Sequence, residues 1–368
     1  MFAKTIPLFR LFGIQINLDY SWFIVFFLIT SVLALGYFPY AYPHYPFIVY
    51  WIVGAFSAVL LFLSVLLHEL AHSLVALRFG LTVKEIDLFI FGGVALIEEE
   101  APNPKVEFLI AIAGPIASFF IGSFFFLLAV LYPVDDIING VINYLMFVNF
   151  IIALFNLVPA FPLDGGRILR AIIWAKKDLL TATKISAKTG TIFAYFLMFM
   201  GLLSLFKGNF LNGMWYGLIG LFLKQASQRS YEQTKISYIL SKYKVQHFLV
   251  TVKPLLPEQT LYEVFSYYYP FYHLRIYPVI GKDGKIYVID ILKFKNLPQE
   301  QLMKIKVGDV AEPIKVYVSP FDNLTKALRL MNKYGSDELP VIYENTILGV
   351  IRRITIESVI EKELSKGA

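Results

Sequence analysis

Two histidines four residues apart, His68 and His72, bracket a carboxylate in the run His68-Glu69-Leu70-Ala71-His72. Positions four apart share one face of an α-helix, so both imidazoles can offer a nitrogen to a single metal ion. Zinc suits such a pair, and Glu69, one step round the helix, can take a proton from a water instead of filling a coordination site. The same spacing occurs on ordinary soluble helices, and the setting separates the two readings. The motif closes an apolar run that begins near Phe47 and carries no charge before it, and an ionisable group inside such a run is costly and marks function. With five histidines and no cysteine in 368 residues, a metal site must use His and carboxylate, and disulfides and thiolate ligands are excluded.

The third ligand is expected from a break later in the chain, Asn156-Leu157-Val158-Pro159-Ala160-Phe161-Pro162-Leu163-Asp164-Gly165-Gly166-Arg167. Two prolines and two glycines unwind a helix while it is still at membrane depth, which is tolerated only where the backbone lines protein or water. Asp164 is the one carboxylate in this break and can complete a three-ligand site with an open fourth position. Taken alone it reads as a helix cap; paired with the histidine motif it reads as a ligand. Asn156 offers an uncharged amide to the same cavity.

The elements that must position these groups follow from composition. Residues are 57% hydrophobic and 16% charged, against about 25% charged in soluble domains, so the chain is an integral membrane protein. With roughly 20 apolar residues needed per span, six candidates emerge, near Tyr20 to Phe38, Phe47 to Phe79, Val106 to Leu131, Ile137 to Val158, Ser186 to Phe206 and Phe210 to Leu223. Under this count Lys4, Arg10, Arg78, Lys84, Lys105, Arg167, Arg170, Lys176, Lys177, Lys184, Lys188, Lys224 and Arg229 fall on one side and only Lys207 on the other. The positive-inside rule then places both termini in the cytoplasm of a multi-pass protein of the cell (inner) membrane. These loop cations account for the net charge of +6, so no nucleic-acid partner is inferred.

Residues 1–19 read as a short lead-in, with Asn17 or Asp19 capping the first span. The loop from Phe38 to Pro46, rich in Tyr and Pro, reads as an interfacial anchor that includes His44. Lys84 to Phe91 and Val94 to Ile97 flank Gly92-Gly93, which predicts a hairpin with a two-residue turn at the glycines. An open sheet edge cannot face lipid, so the hairpin must be buried, line a wet cavity or receive a strand, and an extended substrate is one such strand. Glu98-Glu99-Glu100 reads as its solvated end. Gly114 and Pro115 in the third span, and Gly213, Gly217 and Gly220 in the sixth, read as sites of close helix packing.

His68-Glu69-Leu70-Ala71-His72, then Gly114-Pro115, then Asn156 through Leu163-Asp164-Gly165, in this order and on these spans, resemble the site-2 proteases, intramembrane zinc metalloproteases. The resemblance covers about residues 1–225. It implies that His68, His72 and Asp164 bind one zinc ion per chain, that Glu69 is the base, and that Asn156 steadies the substrate or the oxyanion. It also implies outer helices that part to admit substrate from lipid. Ser118 departs from the pattern, since many members carry Asn after Gly-Pro.

From Lys224 polar residues return. A helical linker over 224–246 leads to two segments of similar rhythm, 247–303 and 304–368, with Val252-Lys253-Pro254 matched by Val318-Ser319-Pro320 and Tyr277-Pro278-Val279-Ile280 by Leu339-Pro340-Val341-Ile342. The pair resembles tandem cystathionine-β-synthase-type (CBS) repeats, the second closely and the first in degenerate form. The resemblance implies an adenine nucleotide and regulation of the fused domain. The acidic residue that usually holds the ribose is not matched, Phe294 and Thr355 standing in its places. Tyr267 to Tyr272 reads as an aromatic interface between repeats or between two chains of a homodimer. His247 and His273 have no partner that would make them catalytic.

The expected fold is a polytopic α-helical membrane domain of about six spans with a membrane-associated β-hairpin, residues 1–223, fused to a soluble α/β tandem CBS domain. The expected activity is zinc-dependent endopeptidase cleavage of a membrane-protein substrate whose transmembrane helix is locally unwound. The alternative is a catalytically silent membrane scaffold or a CBS-gated transporter, and the near absence of ionisable residues in the other spans argues against a transport path.

Overall fold

A computed structural model describes residues 5–90, 92–97, 100–134, 136–281 and 283–366. Lys4 of the cation set, Phe91 of the hairpin, and Glu98 and Glu99 of the acidic run lie outside the described residues. The chain divides into two compact units, the first ending at Tyr231 and the second beginning at Glu232.

The first unit opens with strands rather than the lead-in expected over residues 1–19. β1 (Thr5–Leu11) and β2 (Ile14–Asp19) form an antiparallel hairpin closed by Phe12 and Gly13, both at positive φ, the geometry of a tight turn between twisted strands. Of the two capping candidates, Asp19 accepts the Ser21 backbone N–H at 2.9 Å, whereas Asn17 turns into the sheet and donates to Glu85 and Asp87. Helix α1 (residues 21–41) carries a π turn over Leu33–Tyr37, and α2 (Phe47–Arg78) is the long helix of the histidine motif. β3 (Val83–Phe89) and β4 (Gly92–Ile97) follow. Then come α3 (Pro104–Leu131), capped by the Asn103 side chain, and α4 (Ile137–Asn156), capped by Asp136. After the proline-rich break, α5 (Asp164–Trp174), α6 (Leu179–Phe206) and α7 (Phe210–Ser241) complete the series.

Five helices, α1 to α4 and α6, are long and apolar enough to cross a membrane among the described residues. The sixth expected span is the first half of α7. Its apolar stretch of roughly 14 residues gives about 21 Å of helix against a hydrocarbon core of about 30 Å, and it continues without interruption into the polar half that was read as a linker. The glycines there do permit close approach: a Cβ on Gly201 of α6 would lie 2.8 Å from the Gly213 carbonyl oxygen, and one on Gly220 2.8 Å from that of Ala194.

The predicted β3–β4 hairpin belongs to a four-stranded sheet of order β1-β2-β3-β4, in which β2 and β3 run parallel and the other pairs antiparallel. Its turn differs from expectation. Phe89 faces Gly92, so Gly92 and Gly93 are strand residues and the turn precedes them. β2 packs Ile14, Ile16 and Leu18 with Ile86 and Leu88 of β3 onto Leu66 and Leu70 of α2 and onto Ile110 of α3. One neighbour of β3 is therefore supplied by β2, and the free edge of the sheet near α2 is β4.

In the second unit the expected duplication is visible in the hydrogen bonds. Leu255 brackets β5 (Ile276–Ile280), bonding to the Pro278 carbonyl and the Ile280 N–H, while Val318 does the same to Pro340 and Ile342 of β8 (Glu338–Tyr343). β5 pairs with β6 (Ile286–Asp290), which takes a short β7 (Glu312–Pro313) on its other edge; β8 pairs with β9 (Thr346–Arg352). The helical segment α8 (residues 261–272) of the first copy contains a π turn at Val264–Tyr268, whereas its counterpart α9 (Leu324–Tyr334) is regular, and a last helix α10 spans Arg353–Lys366. From helix start to strand start the first copy is one residue longer (261 to 276 against 324 to 338), and a π turn absorbs one extra residue. Tyr268, Tyr269 and Tyr272 of the aromatic run turn into the core of this copy, leaving Tyr267 and Phe271 exposed.

Candidate metal centre

α2 presents His68 and His72 on one buried face, as their spacing requires. α5 starts at Asp164 itself, so the side chain emerges at a helix N-terminus beside two glycines that let the chain fold tightly. A Cβ on Gly165 would strike the Leu157 and Val158 carbonyl oxygens, and one on Gly166 would strike the Phe161 backbone. Asp164 Oδ2 lies 3.1 Å from His68 Nε2 and 3.2 Å from His72 Nε2, and the two Nε2 atoms are 3.2 Å apart.

The far nitrogens reveal what kind of atoms meet in this triangle. His72 Nδ1 is 2.6 Å from the Ile110 carbonyl oxygen, which can only accept, so Nδ1 carries the proton and Nε2 turns a lone pair inward. His68 Nδ1 pairs with Ser118 Oγ at 2.9 Å, a hydroxyl that can accept its proton, and with Nδ1 as donor His68 Nε2 also turns a lone pair inward. Two lone pairs and a carboxylate at this separation repel one another unless a cation sits among them. Tetrahedral zinc with bonds of about 2.0–2.1 Å places its ligands about 3.3 Å apart, close to the observed edges. His68, His72 and Asp164 are all buried and form a group able to hold a metal ion.

Gly114 makes room for it. A Cβ at this position would run into both Nε2 atoms. Glu107, Ile110, Gly114 and Ser118 recur every three or four residues and form one buried stripe of α3, of which Ile110, Gly114 and Ser118 meet the histidines. In sequence Gly114 reads as a packing position and Ser118 as a departure from pattern. Ile110 acts through its backbone, which no side-chain pattern reports.

Glu69, Asn156 and Asp164 open onto one cavity of about 480 Å³, together with Arg167 and the β4 segment Gly92 to Ala95. The Glu69 side chain packs against β4, where a Cβ on Gly93 would collide with it. Asn156, the last residue of α4, donates its amide to the Ile152 carbonyl at 3.0 Å. The five residues expected to form the site are thus brought together, and Arg167 joins them without having been singled out for it.

Comparison with known proteins adds the lineage. The sequence profile of Peptidase family M50 matches residues 56–141 and 133–205, and that of the CBS domain matches residues 307–362. Zinc metalloprotease MJ0392 of Methanocaldococcus jannaschii is 30% identical over 96% of this chain and 95% of its own. Rip3 of Mycobacterium tuberculosis is 32% identical over 94% of this chain and 90% of its own. The chain belongs to peptidase family M50. Among solved structures, the site-2 protease from Methanocaldococcus jannaschii is 35% identical, covering 62% of this chain and 95% of that one with a TM-score of 0.45. This M50 peptidase is a multi-pass intramembrane zinc metalloprotease carrying a C-terminal CBS domain. The CBS match falls on the second of the two similar segments.

Proposed function

We propose that this M50 peptidase cuts peptide bonds in or beside the transmembrane segment of membrane-tethered proteins, with His68, His72 and Asp164 holding zinc and Glu69 moving the proton. The observation that carries the reading is the convergence of two imidazole lone pairs and a carboxylate within 3.1–3.2 Å of one another, on the same cavity as Glu69. Zinc, when bound, acidifies a water and polarises the scissile carbonyl. Glu69 accepts the proton of the attacking water and returns it to the leaving amine. The Asn156 amide, which lines the same cavity, donates to the carbonyl oxygen as charge builds there. β4 is the end strand of the sheet among the described residues and its Gly92 to Ala95 segment lines the cavity, so the substrate is held extended by strand addition. A helical peptide bond is shielded, and the substrate must unwind locally before this pairing forms. Substituting Glu69 with Gln tests the reading: zinc stays and cleavage stops, whereas retained cleavage would sink it.

In this reading residues 1–223 are the protease domain, 224–246 the linker, and 247–303 and 304–368 two CBS repeats that modulate it, with an adenine nucleotide as the class of ligand to test. Calorimetry of the full chain with ATP and AMP decides that point, and no heat of binding counts against it. Both termini lie in the cytoplasm, supported by the one-sided distribution of Lys and Arg and by the tight glycine contact of α6 with α7, which lets the short apolar half of α7 complete a sixth crossing. Because the chain has no cysteine, single cysteines introduced at Lys207 and at Ser319 report sidedness directly; labelling of both from the same side contradicts the topology.

A further inference from the structure

We propose that the ion pair of buried Glu107 with half-buried Arg170 is a positioning pair for the metal centre, holding Asp164 at its distance from the two histidines. It rests on the zinc reading given above. Glu107 is fully buried at the start of α3, on the stripe that continues through Ile110, Gly114 and Ser118 to the histidines. Arg170 comes from α5, six residues after Asp164, and both its Nε (2.7 Å) and Nη2 donate to Glu107 Oε1. The same guanidinium lies 5.2 Å over the ring of Phe161, three residues before Asp164. One side chain therefore grips the segment that carries the third ligand on both sides of that ligand and ties it to the helix that braces the other two. Phe161 is itself anchored, its carbonyl accepting from the Ser227 hydroxyl of α7.

The form of the pair argues for positioning over stability. Removing two charges from water roughly cancels their attraction, so a buried pair adds little net stability unless every polar atom is satisfied. Here it is not: both donors converge on one oxygen, and Glu107 Oε2 is buried without a partner among the described residues. What a planar guanidinium on a fixed carboxylate does supply is direction. Glu107 and Arg170 do not line the cavity and do not touch the ligand atoms, so they act only through Asp164 and the α3 stripe.

The test uses detergent-purified full-length protein, with zinc affinity from chelator competition, the absorption spectrum of the cobalt(II)-substituted form, and kcat and KM on a transmembrane reporter peptide. Glu107→Gln and Arg170→Lys keep size and hydrogen bonding but lose the clamp. Each should bind zinc about tenfold more weakly, the scale expected when an outer partner of a metal ligand is lost. Each should also alter the cobalt bands and lower kcat while leaving KM within twofold. The double variant Glu107→Leu with Arg170→Met, which has no buried charge to strand, should fold and show the same loss. Wild-type zinc affinity and cobalt spectrum in any folded variant overturns the proposal, as does loss of fold in all three, which would make the pair a stability element. Wild-type protein that binds no zinc overturns the zinc reading itself and this proposal with it.

Discussion

His72 Nδ1 lies 2.6 Å from the backbone carbonyl oxygen of Ile110, and this contact decides which nitrogen of His72 is free for a metal. A carbonyl oxygen has no proton to give, so the tautomer is fixed by the fold of α3 and not by the histidine's own preference. Ser118 Oγ, 2.9 Å from His68 Nδ1, is the corresponding partner one turn further on, a hydroxyl able to accept from that nitrogen.

The support from α3 makes Ser118 testable apart from the ligands. Ser118→Ala removes the partner of His68 Nδ1 without adding bulk, and zinc affinity measured by chelator competition should fall about tenfold. An unchanged affinity would mean that Ser118 merely fills space.

Gly114 has a steric role with a sharp expectation. A Cβ there would occupy the space of both ligand nitrogens, so Gly114→Ala should abolish zinc binding and cleavage while the protein still elutes as a monodisperse peak. Full zinc occupancy in that variant would show that the histidines can swing away from α3.

Ala95 belongs to the edge strand β4 and lines the cavity with Glu69. Ala95→Pro removes a backbone N–H from that edge strand, where proline is tolerated, and should slow cleavage at least about tenfold with zinc content unchanged. Wild-type turnover in this variant would argue against strand addition. Glu69→Gln should be more severe, a loss of about 10²-fold or more in kcat, because a general base has been removed.

The histidine motif was legible because its geometry is local: two residues one helical turn apart need no knowledge of the rest of the fold. The break at Pro159 to Gly166 was legible because proline and glycine state what the backbone cannot do. The hairpin of β1 and β2 was not, since Phe12-Gly13 lacks the usual Asn or Asp, and the alternation of Ile14, Ile16 and Leu18 runs straight into the apolar residues of α1. The β3–β4 turn is not where the sequence suggests, because Gly92-Gly93 reads as a turn, whereas Gly93 is a strand residue whose missing side chain lets Glu69 approach and Gly92 holds a positive φ. The Ile110 carbonyl has no signature in sequence, and Glu107 and Arg170 are 63 residues apart, beyond any local pattern.

The tail offers a prediction of its own. Glu338 Oε2 accepts from the Arg275 and Ile276 backbone N–H groups at 2.8 Å each, joining the two copies of the repeat. Burial raises its carboxyl above the usual range, an effect only partly offset by those two donors. The folded state therefore binds this proton more tightly than the unfolded chain. The stability it contributes is full below the ordinary glutamate value and is lost as pH rises through the raised one. Hydrogen exchange of the Val279 and Val341 amides should show that decline in wild type and not in Glu338→Gln. Glu338→Ala, which leaves two donors unpaired, should cost about 1–3 kcal/mol.

The central claim is that two distant stretches of chain build one metal site, and zinc content per chain tests it most directly. Detergent-purified wild type, His68→Ala and Asp164→Ala are compared by elemental analysis at matched protein concentration. About one zinc in wild type and loss of it in both variants is the predicted result. Zinc retained in Asp164→Ala, or absent from carefully purified wild type, would contradict it.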